Sequence, residues 1–272
     1  MNYFEGKTAI VTGGASGIGR GLCKELASNG ARVIAADLDL KGVEATVAGI
    51  TSAGGRAEAV RLDVTKQSEV EELVARTVAS GGLDFMFNNA GIGISGEVRD
   101  IDLDDWRKVA DVNYWGVVYG TTSAYKAMVK AGRGHIVNTA SGAGLVPFAM
   151  SIPYTATKHA VVGLSQALRA EGHDLGVRVS VVCPGFIDTA IFRTSPYFGV
   201  KKEELMSYLQ KSIRHMDPDK CARVILKGVK RNKAVITVTA EAKLVWWLYR
   251  LSPALVNFIS LQSVRQARRF RE

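Results

Sequence analysis

The chain has 272 residues, of which 47% are hydrophobic and 22% charged, an ordinary globular balance with length enough to bury a core without disulfides. Three widely spaced cysteines, Cys23, Cys183 and Cys221, exclude a disulfide framework and a paired-cysteine metal site, and no cluster of His, Cys and Asp suggests a metal. The net charge of +9 is uneven: residues 1–200 hold 19 Lys/Arg and 20 Asp/Glu, residues 201–272 hold 16 and 6. A neutral body with a basic C-terminal part calls for a local explanation and argues against a nucleic-acid-binding fold.

Met1 to Gly6 show no basic segment followed by a long apolar one, so no signal peptide is expected, and the cysteine usage suits a reducing cytoplasm. The first predicted strand, Thr8–Thr12, runs into Gly13-Gly14-Ala15-Ser16-Gly17-Ile18-Gly19 and then a helical pattern from Arg20 to Ala27. Glycines at 13, 17 and 19 let the backbone turn sharply and approach a diphosphate, with the helix N-terminus offering N–H groups to it. The second strand, Arg32–Asp37, ends on an acid 18 residues after Gly19, where a carboxylate suits the ribose hydroxyls of NAD and repels the 2′-phosphate of NADP. No basic residue stands at position 15 or 16 to offset that charge; the plainer alternative is that Asp37 caps a turn.

Further strands are predicted at Ala57–Arg61, Phe85–Asn88, His135–Thr139, Val177–Cys183 and Ala234–Val238. Between them apolar residues recur at helical spacing, as at Val70, Leu73, Val74, Thr77 and Val78. The strands read as nearly continuous apolar runs, the pattern of strands buried on both faces, and their alternation with helices predicts a doubly wound parallel sheet of Rossmann type. A single domain with a helical C-terminal extension follows: residues 1–239 for the dinucleotide-binding catalytic domain, 240–272 for the extension.

Tyr154 and Lys158 stand four apart and share a helix face. A phenol titrates near 10, and making it a base at neutral pH requires ~4 kcal/mol of preference for phenolate, which a nearby ammonium in a shielded site can supply. Ser141, 13 residues earlier, follows the fifth strand, at the end of the sheet where such folds place ligands. Between Thr189 and Met216 the pattern breaks into an irregular segment with Pro196 and Gly199, expected to be a substrate lid, before Asp217-Pro218 starts a helix.

The ordered set Thr12-Gly13…Gly17-Ile18-Gly19, Asp63-Val64, Asn88-Asn89-Ala90-Gly91, Asn113, Ser141, Tyr154 with Lys158, and Pro184-Gly185 resembles the short-chain dehydrogenase/reductase family over roughly residues 5 to 190. The resemblance implies NAD as cofactor, with Asp63 and the Val64 backbone toward the adenine and Asn89, Ala90 and Gly91 beside the adenosine ribose. Asn88 would tie neighbouring strands. Asn113 would hold a water on a proton relay, Ser141 would donate to the substrate oxygen, and Tyr154 would be the general acid/base. Lys158 would bind the nicotinamide ribose and bias the phenol. Pro184 and Gly185 would pass the nicotinamide, and Thr189 would bond its carboxamide. Two long helices, one holding Asn113 to Met128 and one from Tyr154 to Glu171, would form a homodimer or homotetramer interface.

The expected function is therefore NAD-dependent interconversion of a secondary alcohol and a ketone. The alternatives are an NADP-dependent carbonyl reductase, a sugar-nucleotide epimerase or dehydratase, and a catalytically silent dinucleotide-binding module. Phe186, Ile191, Phe192, Tyr197 and Phe198 in the lid region, with Leu145, Val146, Phe148 and Met150 near Ser141, suggest a bulky apolar substrate, steroid-, terpenoid- or lipid-like, unless they only pack the lid on the body. The tail joins Lys243-Leu244-Val245-Trp246-Trp247-Leu248-Tyr249-Arg250-Leu251 to Pro253, a second apolar stretch through Leu261, and Arg265, Arg268, Arg269 and Arg271. Arg250 and Pro253 make it a poor membrane-spanning helix, which leaves peripheral membrane contact, a pocket cover or a partner surface as its readings.

Overall fold

The computed structural model describes residues 3–212 and 215–271; residues 1, 2, 213, 214 and 272, which fall in the expected catalytic domain, lid and tail, lie outside them. In chain order the elements are β1 (Thr8–Thr12), α1 (Gly17–Ser28), β2 (Arg32–Asp37), α2 (Leu40–Ser52), β3 (Arg56–Arg61), α3 (Gln67–Ala79) and β4 (Phe85–Asn88). There follow α4 (Leu103–Ala110), α5 (Gly116–Ala131), β5 (Gly134–Thr139), α6 (Ile152–Glu171), β6 (Val177–Cys183), α7 (Ile191–Thr194), α8 (Lys202–Ser212), α9 (Pro218–Lys230), β7 (Val235–Thr237), α10 (Ala240–Leu251) and α11 (Pro253–Ala267).

All seven strands are parallel, in the order β3-β2-β1-β4-β5-β6-β7. The chain winds outward from β1 to β3, returns to the centre at β4 and winds outward again. The reversal between β1 and β4 opens a crevice at the carboxyl ends of the strands, where such sheets bind ligands. Alternation along β1 separates two cores: Ala9 and Val11 pack with Leu22, Val43 and Ile225 of α1, α2 and α9, and Ile10 packs with Leu73 and Met128 of α3 and α5.

The expectation that every strand is buried on both faces fails at β3. This edge strand is half-exposed along its length, and its Glu58 pairs with Arg32 at 3.5 Å and Arg76 at 3.0 Å. Strand β7 is shorter than expected, three residues at the opposite edge. In the interior, Asn88 donates to Asn138 (2.8 Å) and Thr121 (3.1 Å), and Asn138 donates to Ser165 (3.0 Å), so one amide chain ties β4 and β5 to α5 and α6. Cys23, Cys183 and Cys221 are buried and free.

The segment expected to be irregular between Thr189 and Met216 is largely helical, in α7 and α8, with Pro196 and Gly199 (φ +63°) confined to the turn between them. Helix α7 is a single turn, too short for a periodic signal, whereas the 11-residue α8 carries Leu205 and Leu209 at helical spacing, a signal that the sequence reading passed over. At its base, Met216 N–H donates to Phe186 and Asp188 N–H to Met216; at its middle, Ser95 N–H donates to Pro196 and Phe198 N–H to Ser95. Asp217 caps α9 through the Lys220 N–H (2.8 Å) with Pro218 in the first turn, as expected.

Pro253 breaks the tail, also as expected, and Ser252 caps the start of α11 through the Leu255 N–H. The end of the tail is clamped on the body. Arg271 bonds both oxygens of Asp100 at 2.9 Å and reaches Glu97 at 3.1 Å, Arg268 meets Glu97 at 2.8 Å, and Lys201 N–H donates to Phe270. Part of the basic charge of the tail is thus compensated internally.

Candidate active site

At the carboxyl end of β1 the backbone of Gly13 (φ +72°) and Gly17 (φ +50°) lies in the left-handed region, where a side chain would be strained. A Cβ on Gly13 would stand 2.9 Å from the Ala90 backbone, and one on Gly17 would press on Thr189 at 3.0 Å. Helix α1 begins at Gly17, three residues earlier than its apolar periodicity suggests. Ser16 occupies its N-cap position without a side-chain cap, and no acidic residue lies in its first turn. Its first N–H groups therefore face the crevice without a side-chain acceptor, which fits an anionic ligand such as a dinucleotide diphosphate. Across the crevice, Thr12 Oγ1 accepts the N–H groups of Asn89 (3.0 Å) and Ala90 (3.1 Å), and Asn89 Nδ2 donates to the Thr12 carbonyl. This locks β1 to the loop that carries Asn89, Ala90 and Gly91. Sequence reading gave Thr12 no role, since its function is visible only once the two loops are neighbours.

Asp37 ends β2 and serves two backbone donors, with Oδ2 accepting from Ala15 and Oδ1 from Asp39, both at 3.0 Å. The turn-capping alternative is therefore real, and each oxygen keeps a further lone pair beyond these two bonds. Asp63, just past β3, has one oxygen engaged by the N–H and hydroxyl of Thr65. Burial raises its pKa, but those two bonds with Lys66 and Arg61 outweigh it and hold the carboxyl below its ordinary range. Val64 packs over Gly116 at the start of α5, and Ile18 sits half-buried against the α1 core.

At the other end, Ser141 follows β5, and Tyr154 and Lys158 share one face of α6. The Ser141 hydroxyl accepts from the Ala143 N–H at 3.1 Å and stands close enough to the Tyr154 phenol to lower its pKa in part. Lys158 is buried, donates to the Thr139 carbonyl at 2.9 Å and stands 5.5 Å from the Tyr154 ring centre. Burial pushes the Lys158 ammonium down to about 8. Burial also pushes the Tyr154 phenol up, with the Ser141 bond lowering it in part. The expectation that Lys158 depresses the phenol is thus outweighed by desolvation in the protein on its own.

Asn113 lies in a π-helical turn, Asp111–Trp115, and is fully buried. Its side-chain amide is committed in both directions to Ile92, accepting the N–H and donating to the carbonyl at 2.9 Å. The amide itself therefore positions the loop past Gly91, using one of its two N–H groups and one of its two lone pairs. A Cβ on Gly91 would stand 3.1 Å from Asn113 and 3.5 Å from the Lys158 ammonium, so these three residues meet. Pro184 accepts from the Gly142 N–H at 2.7 Å, Gly185 faces Thr239, and Thr189 faces Gly17. Every expected site residue except Asp37, which ends β2, and Asp63 and Val64, which follow β3, is thus gathered around the ends of β1, β4, β5 and β6.

The lid aromatics also converge. Phe186 stacks on Phe192 at 6.0 Å and meets Phe148 edge-on at 6.3 Å, and His215 caps both lid rings. Phe198 packs with Tyr154, Ile94 and Ile101, whereas Leu145 and Val146 belong to the α6 core. Met150 keeps a positive φ of 62° two residues before α6. Sequence reading missed Ser95 and Ser151, whose hydroxyls pair at 3.2 Å between the lid contact and the start of α6.

A model of the short chain dehydrogenase family matches residues 7–196. The chain is 35% identical over 257 residues to a Mycobacterium tuberculosis protein assigned by name as an oxidoreductase, SadH, covering 92% of each. It is 40% identical over 196 residues to a 2,5-dichloro-2,5-cyclohexadiene-1,4-diol dehydrogenase of Sphingobium indicum, covering 71% of this chain and 77% of that one. Among solved structures, a Burkholderia phymatum short-chain dehydrogenase/reductase in complex with NAD superposes with a TM-score of 0.84 at 29% identity, covering 94% of this chain and 96% of that one. A Beutenbergia cavernae chain solved with NADP at low occupancy superposes at 0.76 and 30% identity, covering 86% and 95%. Crevice, Ser-Tyr-Lys cluster and relatives agree: the chain belongs to the short-chain dehydrogenase/reductase family and is an oxidoreductase built to bind a nicotinamide dinucleotide.

Proposed function

We propose that this protein is an NAD-dependent dehydrogenase that interconverts a secondary alcohol and a ketone on a bulky apolar substrate. The observation that carries this reading is the meeting of Ser141, Tyr154 and Lys158 beside the crevice formed by Gly13, Gly17 and Gly91. When bound, the nicotinamide supplies the hydride acceptor or donor. Ser141 and Tyr154 hold the substrate oxygen between two hydroxyls and polarise it. Tyr154 Oη takes the proton as an alcohol is oxidised and returns it as a ketone is reduced. Lys158 is the nearest cation to the ring and favours the phenolate once further positive charge enters the crevice.

The choice of NAD rests on Asp37, whose carboxylate faces the place of a 2′-phosphate. The substrate class rests on the wall of Phe148, Phe186, Phe192 and Phe198, and a cyclic diol as substrate of the Sphingobium relative is in keeping with it. The reading extends to residues 1–239 as the catalytic unit, residues 189–216 as the lid, and a cytoplasmic homo-oligomer. A panel of cyclic and long-chain secondary alcohols, offered with NAD and NADP while the absorbance of reduced cofactor is followed, tests it. Turnover with NAD is expected, and equal or faster turnover with NADP would overturn the cofactor assignment.

A further inference from the structure

The outer face of the α10–α11 hairpin stays uncovered although its inner face is already used. Trp246 packs on the core of Leu145, Val161 and Val162, and Val256 is buried. On the other side of α10, Leu244, Trp247 and Leu251 recur at i, i+3 and i+7 and are each more than half exposed, as is Phe258 on α11. With Leu255, Ile259 and Leu261 also exposed, seven large apolar side chains are presented by two packed helices, more than the isolated apolar residues normal on a soluble surface.

Charge identifies what covers it. Lys243 and Arg250 flank the apolar stripe of α10, and Arg265 and Arg269 continue the Phe258 stripe of α11 by helical spacing. All four are exposed and without an ion pair among the described residues, whereas Arg268 and Arg271 are held by Glu97 and Asp100. The only acid of the hairpin among the described residues is Glu241. A two-fold contact between copies would set this cationic face against itself with only Glu241, among the described residues of the hairpin, to answer it. No described helix is long and apolar enough to cross a membrane. An apolar stripe with Trp in it and cations at its rim matches a bilayer surface, where rings enter the headgroup layer and cations meet anionic lipid.

We propose that the outer face of the α10–α11 hairpin docks this enzyme on an anionic lipid surface. The Arg268 and Arg271 clamp holds the hairpin in place for that contact. Val264 of α11 also lines a cleft of about 330 Å³ with Met150 and Ile152, so the inner side of the hairpin stands beside the segment that leads to Tyr154.

The test is co-sedimentation of the full chain with vesicles of phosphatidylcholine alone and of phosphatidylcholine with an equal part of phosphatidylglycerol. Binding to the mixed vesicles only, with release by added salt, is expected. The double variant Trp247→Ser, Phe258→Ser should lose most of that binding. The variant Lys243→Gln, Arg250→Gln, Arg265→Gln, Arg269→Gln should weaken it by ~5-fold for each charge removed. This second variant breaks no ion pair among the described residues and, beyond the Arg250 contact on the Trp246 ring, changes only exposed side chains, so its result stands even if the first unfolds. Absence of binding to the mixed vesicles at low salt overturns the proposal, as does undiminished binding by the charge variant. So does a sedimentation-velocity result in which the exposed apolar residues hold copies together and the vesicles bind nothing.

Discussion

Tyr154 sits where two requirements conflict. The phenol must be dry enough to pass a proton only to substrate, and that same burial raises its pKa above the ordinary value. Lys158, itself lowered to about 8, is near enough to act on the ring but is tied to the Thr139 carbonyl. The arrangement predicts a division of labour that substitution can read. Tyr154→Phe should lower kcat by ~10²–10⁴-fold while the dissociation constant for reduced cofactor, followed by its fluorescence, stays within about twofold of the parent. Lys158→Ala should raise that constant as well as lower kcat, and a Tyr154→Phe protein turning over near the parent rate would remove the mechanism. Asp37 supports a prediction of the same kind. Both of its oxygens already hold backbone N–H groups, so Asp37→Ser should lose part of the turn as well as the repulsion of a 2′-phosphate. The ratio of kcat/KM with NAD to that with NADP should fall by at least ~10-fold, and an unchanged ratio would mean that Asp37 is a turn residue alone.

At the level of elements, β5 and the tail clamp each couple pH to structure. His135 on β5 is buried, shares a hydrogen bond of 2.9 Å between its Nε2 and Ser180 on β6, and leaves Nδ1 without a partner. Burial, with Arg178 and Arg169 nearby, pushes its pKa down to about 3, so the folded protein binds this proton later than the unfolded chain does. A depressed folded pKa of this kind gives stability that is complete above the unfolded value near 6.5 and drains as pH falls from there toward 3. Urea unfolding at pH 7 and 4.5 should show a loss that His135→Phe reduces by roughly 2–3 kcal/mol; an equal loss in both proteins would show that other groups carry it. The clamp works in a lower window. Hydrogen bonding from Arg268, opposed by burial and assisted by Arg99, holds the Glu97 carboxyl at about 2, so the clamp is fully formed above about 4.5 and opens as pH falls toward 2. Arg271→Gln should reproduce at neutral pH the faster amide exchange of residues 253–271 that acid produces in the parent. Neither device is visible in the sequence. Glu97 and Arg271 are far apart in the chain, and His135 reads as one polar residue in an apolar run, whereas the strands themselves were legible because local apolar runs bounded by glycines suffice to mark them.

For the whole molecule, the sequence carried the winding of the sheet and the gathering of the cofactor and catalytic residues, since each motif lies at a strand end and the parallel order brings those ends together. It did not carry which groups are already engaged within the protein, such as the Asn113 amide on Ile92, because hydrogen-bond partners across loops leave no periodic trace. Assembly is the level at which sequence and fold can next be tested. The outer face of α6 is a run of small exposed residues, Ala156, Ala160, Gly163 and Ala167 at helical spacing, and a Cβ on Gly163 would meet nothing within 4 Å. Exposed Trp115 stands at the start of the neighbouring α5. Small residues let a second helix approach closely, and an aromatic beside them provides area to bury, so α5 and α6 are the surfaces expected to pair between copies. This face is separate from the cationic hairpin, and the two can be disabled independently. Sedimentation velocity at micromolar concentration should show the parent as a dimer or tetramer. Gly163→Arg adds bulk and charge at a point that touches nothing within the chain, so it should yield a monomer whose α6 remains helical and whose affinity for anionic vesicles per hairpin is kept. A parent already monomeric under those conditions would leave α6 an ordinary solvent face and remove the oligomer from the reading.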